Sequence, residues 1–378
     1  MRRVPPQNPV APPSCAVAMR PALTTARQLV LEHGWNAVAY QILNPGIELW
    51  FAGAGDAVVG FVRFRRTRVV AGAPVCAPER LAAVAAEFEA EAAARRERVC
   101  YFAAESRLES LPRPGGPHSR VLLGAQPVWR PESLLAAVDG HPSLRAQLAR
   151  ARNHGVAVTE WNAATAERHP ELQRCLGEWL ATRGLPPLHF LVEPDTLRAV
   201  LDRRVFVAER AGAPVAYLVA SPIPQRRGWL VEQIVRSRAA CNGTSELLLI
   251  AATRALAGSG AEHLTLGLAP LAQRSTAGEP TPRWLRFTMA WLRAHGRRFY
   301  NFAGLETFKA KFQPDGWEPV FALAASGRIT PATLYAIAGA FARSSPLLLC
   351  ARGMLRALGA ERRRLWRALG GSRPAPRS

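Results

Sequence analysis

The sequence predicts an α/β protein with mixed, largely antiparallel sheets, and three observations predict it. Short β-branched or aromatic runs are separated by glycine or charged turns. Longer stretches with apolar residues at helical spacing lie between them. The same progression of strands, helix and strand then occurs twice in 378 residues, a length that gives two domains able to bury a core each.

Residues 1–20 read as a disordered leader, because Pro5, Pro6, Pro9, Pro12 and Pro13 leave no apolar helix for export. TTARQLVLEHGWNAVAY has helical spacing and closes near Gly34. IELWFAG, AVVGFVRFRR and TRVVAGAPV predict a meander of strands, followed by a long helix at LAAVAAEFEAEAAARR. VCYFAA and RVLLGAQPVWR are two more strands, on either side of a Pro/Gly-rich loop at 112–117. HPSLRAQLARARNHGVAVTEW, residues 141–161, is a basic helix running into a strand. Its Arg145, Arg150 and Arg152 suit a solvated helix face or contact with RNA phosphates. A boundary near Gly155 divides a first domain, 21–155, from a second, 156–328. The second contains a helix at PELQRCLGEWLATR, strands at VFVAER, PVAYLVASPI and WLVEQIVR, a helix at SELLLIAATRALAGSG and a strand at HLTLGLAPL.

Composition narrows the partners. With 49 basic and 28 acidic residues the net charge is +21, which favours polyanions such as nucleic acid or an anionic membrane. The six cysteines have no Cys-x-x-Cys spacing and no His-x-x-x-His pair occurs, so neither a zinc site nor a disulfide framework is predicted. Scattered cysteines of this kind suit the reducing cytoplasm. No uninterrupted apolar run reaches the roughly 18–20 residues of a membrane span.

Only two of the 49 basic residues are lysines, Lys309 and Lys311, one residue apart in FYNFAGLETFKAKFQPDGWEP. An ammonium is a compact charge with rotatable donors, whereas a guanidinium is a fixed planar fork. Either the flanking Phe308 and Phe312 simply make a buried face with the lysines solvated, or the ammoniums were kept for chemistry. Phe299, Phe302, Phe308, Phe312 and Trp317 suit a core stripe or an acyl-chain tunnel. Asn242-Gly243-Thr244 precedes a helix and suits an ordinary cap or an anion held on free N–H groups.

The ordered run of FYNF, Gly304-Leu305, FKxKF and Trp-x-Pro resembles the soluble synthase domain of lysylphosphatidylglycerol synthases. Arg236 closing WLVEQIVR, Asn242-Gly243-Thr244 and LGLAPLA at 266–272 extend the resemblance. The first half joins it through HGWN near residue 34 and Gly72-Ala73-Pro74. The resemblance implies tandem GNAT-like (acyl-CoA N-acyltransferase-like) domains without the multi-span flippase segment of the full-length synthases. It implies transfer of an aminoacyl group from aminoacyl-tRNA to the glycerol hydroxyl of phosphatidylglycerol, with no metal or organic cofactor. The Arg/Gln-x-x-Gly-x-Gly/Ala loop of CoA-dependent relatives is missing, which disfavours a CoA donor. The implied place of work is the cytoplasmic face of the cell membrane, with the protein bound peripherally.

The resemblance places an Asp three residues before Arg236, where this chain has Gln233. Glutamine is no general base, so either positioning alone suffices or Glu232 substitutes through a one-residue bulge. A Glu232–Arg236 ion pair that only stabilises the strand is the plain alternative. Catalytic candidates are therefore Glu232, Gln233, Arg236, Lys309 and Lys311, with Asn242, Gly243, Thr244, Tyr300, Asn301, Glu306, Phe308 and Phe312 as substrate-binding candidates. A GNAT-like acyltransferase with another donor or acceptor, or an inactive lipid- or tRNA-binding module, is the competing reading.

Residues 329–378 are expected to form a basic helical tail. Thr330-Pro331 is an N-cap and first-turn pair, and residues 343–378 carry a net +8 around Met354, Leu355, Leu358, Leu365, Trp366 and Leu369. Such an amphipathic segment reads as a membrane-surface anchor or as a helix docked on the protein.

Overall fold

The computed structural model describes residues 21–111, 119–183, 187–199, 201–272, 302–325, 328–343 and 345–346. The first half runs α1 (Pro21–His33), β1 (Glu48–Phe51), β2 (Val58–Phe64), β3 (Thr67–Ala71), α2 (Leu81–Ala94) and β4 (Arg98–Ala104). It continues with α3 (Ser106–Glu109), β5 (Ser119–Trp129), α4 (Pro131–Gly140) and α5 (Pro142–Asn153). The second half has β6 (Val156–Trp161), α6 (Ala163–Arg168), α7 (Pro170–Ala181), β7 (Arg204–Arg210), β8 (Ala213–Ile223) and β9 (Gly228–Arg236). Then follow α8 (Thr244–Gly258), β10 (His263–Thr265), β11 (Ala269–Pro270), α9 (Phe302–Ala310), β12 (Gly316–Ala324) and α10 (Pro331–Ala342).

All strands join one twelve-stranded sheet in the order β1-β2-β3-β4-β12-β5-β10-β9-β8-β7-β6, with β11 beside β5. Among the described residues, the parallel pairs are β3–β4 and β9–β10. Each is joined by a crossover helix, α2 or α8, so each half repeats the expected tandem GNAT-like order. The halves exchange their last strands. β12 from the second half fills the gap between β4 and β5, while β5 from the first half lies against β10.

Successive residues of the strands serve opposite faces, as the period of two requires. Val69 enters the core under α1 and α10, and Val70 enters the core under α2. In the second half Phe206 packs toward α5 and α8, while Val207 packs toward α7. Both faces of the sheet are thus covered by helices.

HGWN and Gly72-Ala73-Pro74, the first-half pieces of the resemblance, meet in space. The Asn36 amide donates to the Ala103 carbonyl at 3.1 Å, and its Oδ1 accepts from the Val38 N–H. Gly72, at φ +70°, sits so close that a Cβ there would lie 2.8 Å from that Oδ1.

Two expectations differ from the structure. HLTLGLAPL is not one strand: β10 stops at Thr265, Gly267 turns the chain at φ +67°, and pairing resumes against β5 at Ala269. The tail expected from residue 329 starts inside the folded body. Ile329, Ala336, Ile337 and Ala340 join the first-half core, and Gly339 lets α10 lie directly on the Phe64 ring. Thr330 caps that helix in a capping box with Thr333. Residues 347–378 lie outside the described residues.

Candidate active site

The parallel strands β9 and β10 pair only over Gly228–Leu230 and His263–Thr265. Beyond that point β9 continues along β8 to Arg236, while β10 gives way to the 266–272 loop. Ligands of open α/β sheets bind where carboxyl ends of neighbouring strands part in this way. The β8–β9 register skips Glu232, since Val219 faces Gln233 and Ala220 faces Val231. Glu232 is therefore the extra residue of a β-bulge at this point.

Lys309 holds the departing loop. Its Nζ donates to the carbonyls of Gly267 at 2.7 Å and Leu268 at 2.9 Å, so two of the motifs quoted above meet at one atom. The residue is 4% exposed, and burial brings its ammonium down from 10.5 to about 7. A neutral amine that donates both hydrogens to these carbonyls keeps its lone pair free, and the ammonium keeps a third N–H. In either state one valence of Nζ remains for a substrate atom.

Lys311 does different work. Its Nζ donates to the Glu246 carboxylate in the first turn of α8 and to Gln147 Oε1 of α5 at 3.0 Å. It also lies 5.0 Å and 5.4 Å from the ring centroids of Phe308 and Phe312. Phe312 is fully buried, its carbonyl accepts from the Trp129 indole at 2.9 Å, and Phe308 packs at the edge of the same core. These two aromatics are core residues rather than the lining of an acyl tunnel. Glu306 is half-buried on α9. Tyr300 and Asn301 lie outside the described residues.

Asn242-Gly243-Thr244 sits at the start of α8 beneath α5. Gly243 has φ +93°, and a Cβ there would lie 2.0 Å from the Gln147 carbonyl oxygen. Thr244 is buried and its hydroxyl donates to the Cys241 carbonyl at 2.8 Å, while Asn242 is exposed. The turn serves a close helix crossing, with Lys311 and Glu246 beside it.

Glu232 pairs with Arg203, not with Arg236. Arg203 Nε lies 2.8 Å from Glu232 Oε1, with the two side chains 0% and 3% exposed. The Arg203 guanidinium also donates to Asn44 Oδ1 at 2.7 Å and lies over the Tyr40 ring, so the first half closes over the bulge. Arg236 is exposed at the strand end. Gln233 is buried and held at both ends of its amide: it accepts from the Thr196 hydroxyl at 2.8 Å and donates to the Pro194 carbonyl at 2.9 Å.

A second polar cluster escaped the sequence reading. Arg226 bridges Glu105 of the first half at 2.5 Å and Glu318 of β12 at 2.8 Å. Glu105 also accepts from the Ala37 N–H at 2.7 Å, and Gln126 donates to Glu318 at 3.1 Å. Burial and the Arg226 charge hold His263 down at about 4, so it is neutral at physiological pH. The signal available was the Glu318 of Trp-x-Pro and the tryptophan of HGWN, whose ring lies 4.3 Å from the Arg226 guanidinium.

The parted parallel pair, the bulge and the buried amine lie on a tandem GNAT-like scaffold. The chain belongs to the family described as phosphatidylglycerol lysyltransferase, C-terminal, whose model matches residues 27–324. It is similar to the C-terminal domain of a protein from Agrobacterium fabrum named as a candidate lysylphosphatidylglycerol synthetase. That match has 22% identity and a TM-score of 0.71, covering 85% of this chain and 96% of the other. A protein named L-PGS from Bacillus licheniformis matches at 18% identity and a TM-score of 0.67, covering 88% and 95%. A conserved protein of unknown function from Bacteroides thetaiotaomicron matches at 13% identity and a TM-score of 0.55, covering 80% and 97%. These likenesses establish the shared fold. Comparison with curated protein sequences finds no match.

Proposed function

We propose that this chain transfers an aminoacyl group from aminoacyl-tRNA to the glycerol hydroxyl of phosphatidylglycerol. Family membership supports the reaction class, and the observation that carries the site is Lys309 Nζ beside the parted strands. In its neutral form the amine accepts the proton of the lipid hydroxyl as that oxygen attacks the ester carbonyl. A new ester C–O bond forms and the tetrahedral intermediate collapses. The C–O bond to the tRNA ribose breaks, and the leaving oxygen takes the proton back from the Nζ. The donor is already an activated ester, so the protein has only to position, move one proton and stabilise an oxyanion. Glu232 is a poorer base, because Arg203 already engages both of its oxygens. Arg236, exposed at the end of β9, supplies positive charge for phosphates around the site.

The lipid is met at an anionic membrane face, to which the nine arginines of residues 343–378 contribute attraction. No helix among the described residues is long and apolar enough to cross a membrane. Labelled aminoacyl-tRNA incubated with phosphatidylglycerol vesicles should yield an organic-extractable labelled lipid. Binding of both substrates without that product would reject the transferase reading in favour of a binding module.

A further inference from the structure

The first half has its own parallel pair, β3 and β4, and a cleft opens at their carboxyl ends. Its walls include Trp35, Pro74, Cys76, Leu81, Arg107 and Leu108. Most of this surface is apolar, and Arg107 brings a full positive charge to it. The Arg107 guanidinium lies 4.3 Å from the centroid of the Trp35 ring, and Arg226 approaches the same ring at the same distance. Arg226 is neutralised by Glu105 and Glu318. Arg107 is half-buried, and among the described residues it has no hydrogen-bond acceptor and no carboxylate within ion-pair distance.

The groups facing Arg107 explain why this is unusual. Glu105 is near enough to attract it but is committed to Arg226 and the Ala37 N–H, and Arg226 repels it. Burial and that repulsion both act against the charged form, lowering its pKa. A partly desolvated cation with no partner costs stability unless an anion joins it. The place is also the one where open α/β sheets take ligands, outside the carboxyl ends of parallel strands.

We propose that this cleft is a second binding site, distinct from the Lys309 site, that takes a small oxyanion head group with Arg107 as its counter-charge and Trp35 as its wall. A guanidinium fork matches phosphate and carboxylate alike, and the apolar walls suit a ligand whose oxyanion sits on a short carbon stem. The proposal does not depend on the aminoacyl-transfer reading, because simple oxyanions test it.

Calorimetric titration of the full chain with inorganic phosphate, glycerol 3-phosphate and an N-acetyl amino acid, at ionic strength held constant with chloride, reads the site directly. At least one probe should bind saturably at one per chain, and the order among the three separates a phosphate ligand from a carboxylate one. Arg107→Met should weaken that binding at least tenfold, and Arg107→Lys, which keeps the charge and loses the fork, should fall between. Arg66→Gln removes one exposed charge elsewhere and should leave the affinity unchanged. Without ligand, Arg107→Met should unfold at the same temperature as the wild type or higher, since it removes an unpaired charge. Non-saturable binding, equal affinity in Arg107→Met, or loss of binding in Lys309→Met instead would overturn the proposal. So would a ligand-free Arg107→Met or Arg107→Lys protein that melts well below the wild type, because Arg107 would then be holding the fold.

Discussion

Lys309 and Glu232 are buried charges with opposite solutions. Among the described residues Lys309 has carbonyl partners but no carboxylate, so its ammonium sits near 7 in the folded chain against 10.5 when exposed. Between those values the unfolded chain binds a proton that the folded chain does not, so stability rises with pH across the window. Urea titrations at pH 7.5 and pH 10 should show the wild type gaining on Lys309→Met; parallel behaviour would mean that the amine is not desolvated. If Lys309 is the base, transfer should rise as pH passes about 7, and Lys309→Arg should lower turnover by about tenfold or more with folding intact, roughly 1.4 kcal/mol. Wild-type turnover in that variant would remove the residue from the chemistry. Glu232 is paired, and removing its charge takes a buried counter-charge from Arg203. Glu232→Gln should therefore cost about 3 kcal/mol of stability. A loss of transfer at full stability would instead return Glu232 to the role of base.

The elements that frame the site depend on close backbone approaches. Gly243 lets α8 begin directly under α5, and Gly339 lets α10 lie on Phe64. Gly243→Ala meets both a positive φ and the Gln147 carbonyl, which cannot retreat without moving α5. A destabilisation of about 2–3 kcal/mol is expected. Denaturant midpoints decide it, and a change under about 0.5 kcal/mol would show that α5 moves freely. The helices and most strands were legible because their patterning is local. β12 was not, since Pro319 stands within it opposite Ala125, and Pro127 lies opposite Trp317 in β5. Proline argues against a central strand on sequence grounds. Here β12 pairs with β4 only over Phe321–Ala324, so among the described residues Pro319 has a strand on one side alone.

At the scale of the molecule, strand exchange makes the two halves interdependent. β12 has neighbours from residues 98–129 on both sides, and β10 leans on β5. Thermal unfolding should therefore show one transition, and a fragment of residues 156–378 should not fold, because two long strand interfaces would be left open. Two resolved transitions, or a folded fragment, would mean that the exchange is dispensable. The tail is a separate matter. Truncation after Arg343 keeps α10 and its core contacts while removing eight arginines. Co-sedimentation with phosphatidylglycerol vesicles should drop strongly in that variant, and in the intact protein at high salt. Unchanged binding would place the membrane contact elsewhere.

The sequence by itself determined the strand and helix patterning, the Thr330 cap and the two lysines as the residues to watch, and it offered the bulge at Glu232 only as one of two alternatives. These follow from local periodicity, from residue chemistry and from the rarity of lysine in this chain. It did not determine that Glu232 meets Arg203 rather than Arg236, that Arg226 joins Glu105 to Glu318, or that Arg107 has no carboxylate partner among the described residues. Those pairings link residues from 29 to 121 positions apart, and only the folded sheet brings them together. FKAKF itself is nearly symmetric, so nothing local tells its two lysines apart. With one residue between them at the end of a helix, their side chains leave in different directions. One enters the 266–268 loop, where its partners among the described residues are carbonyls, and the other finds Glu246 at the start of α8, so the tertiary neighbours decide which ammonium can lose its proton near neutral pH.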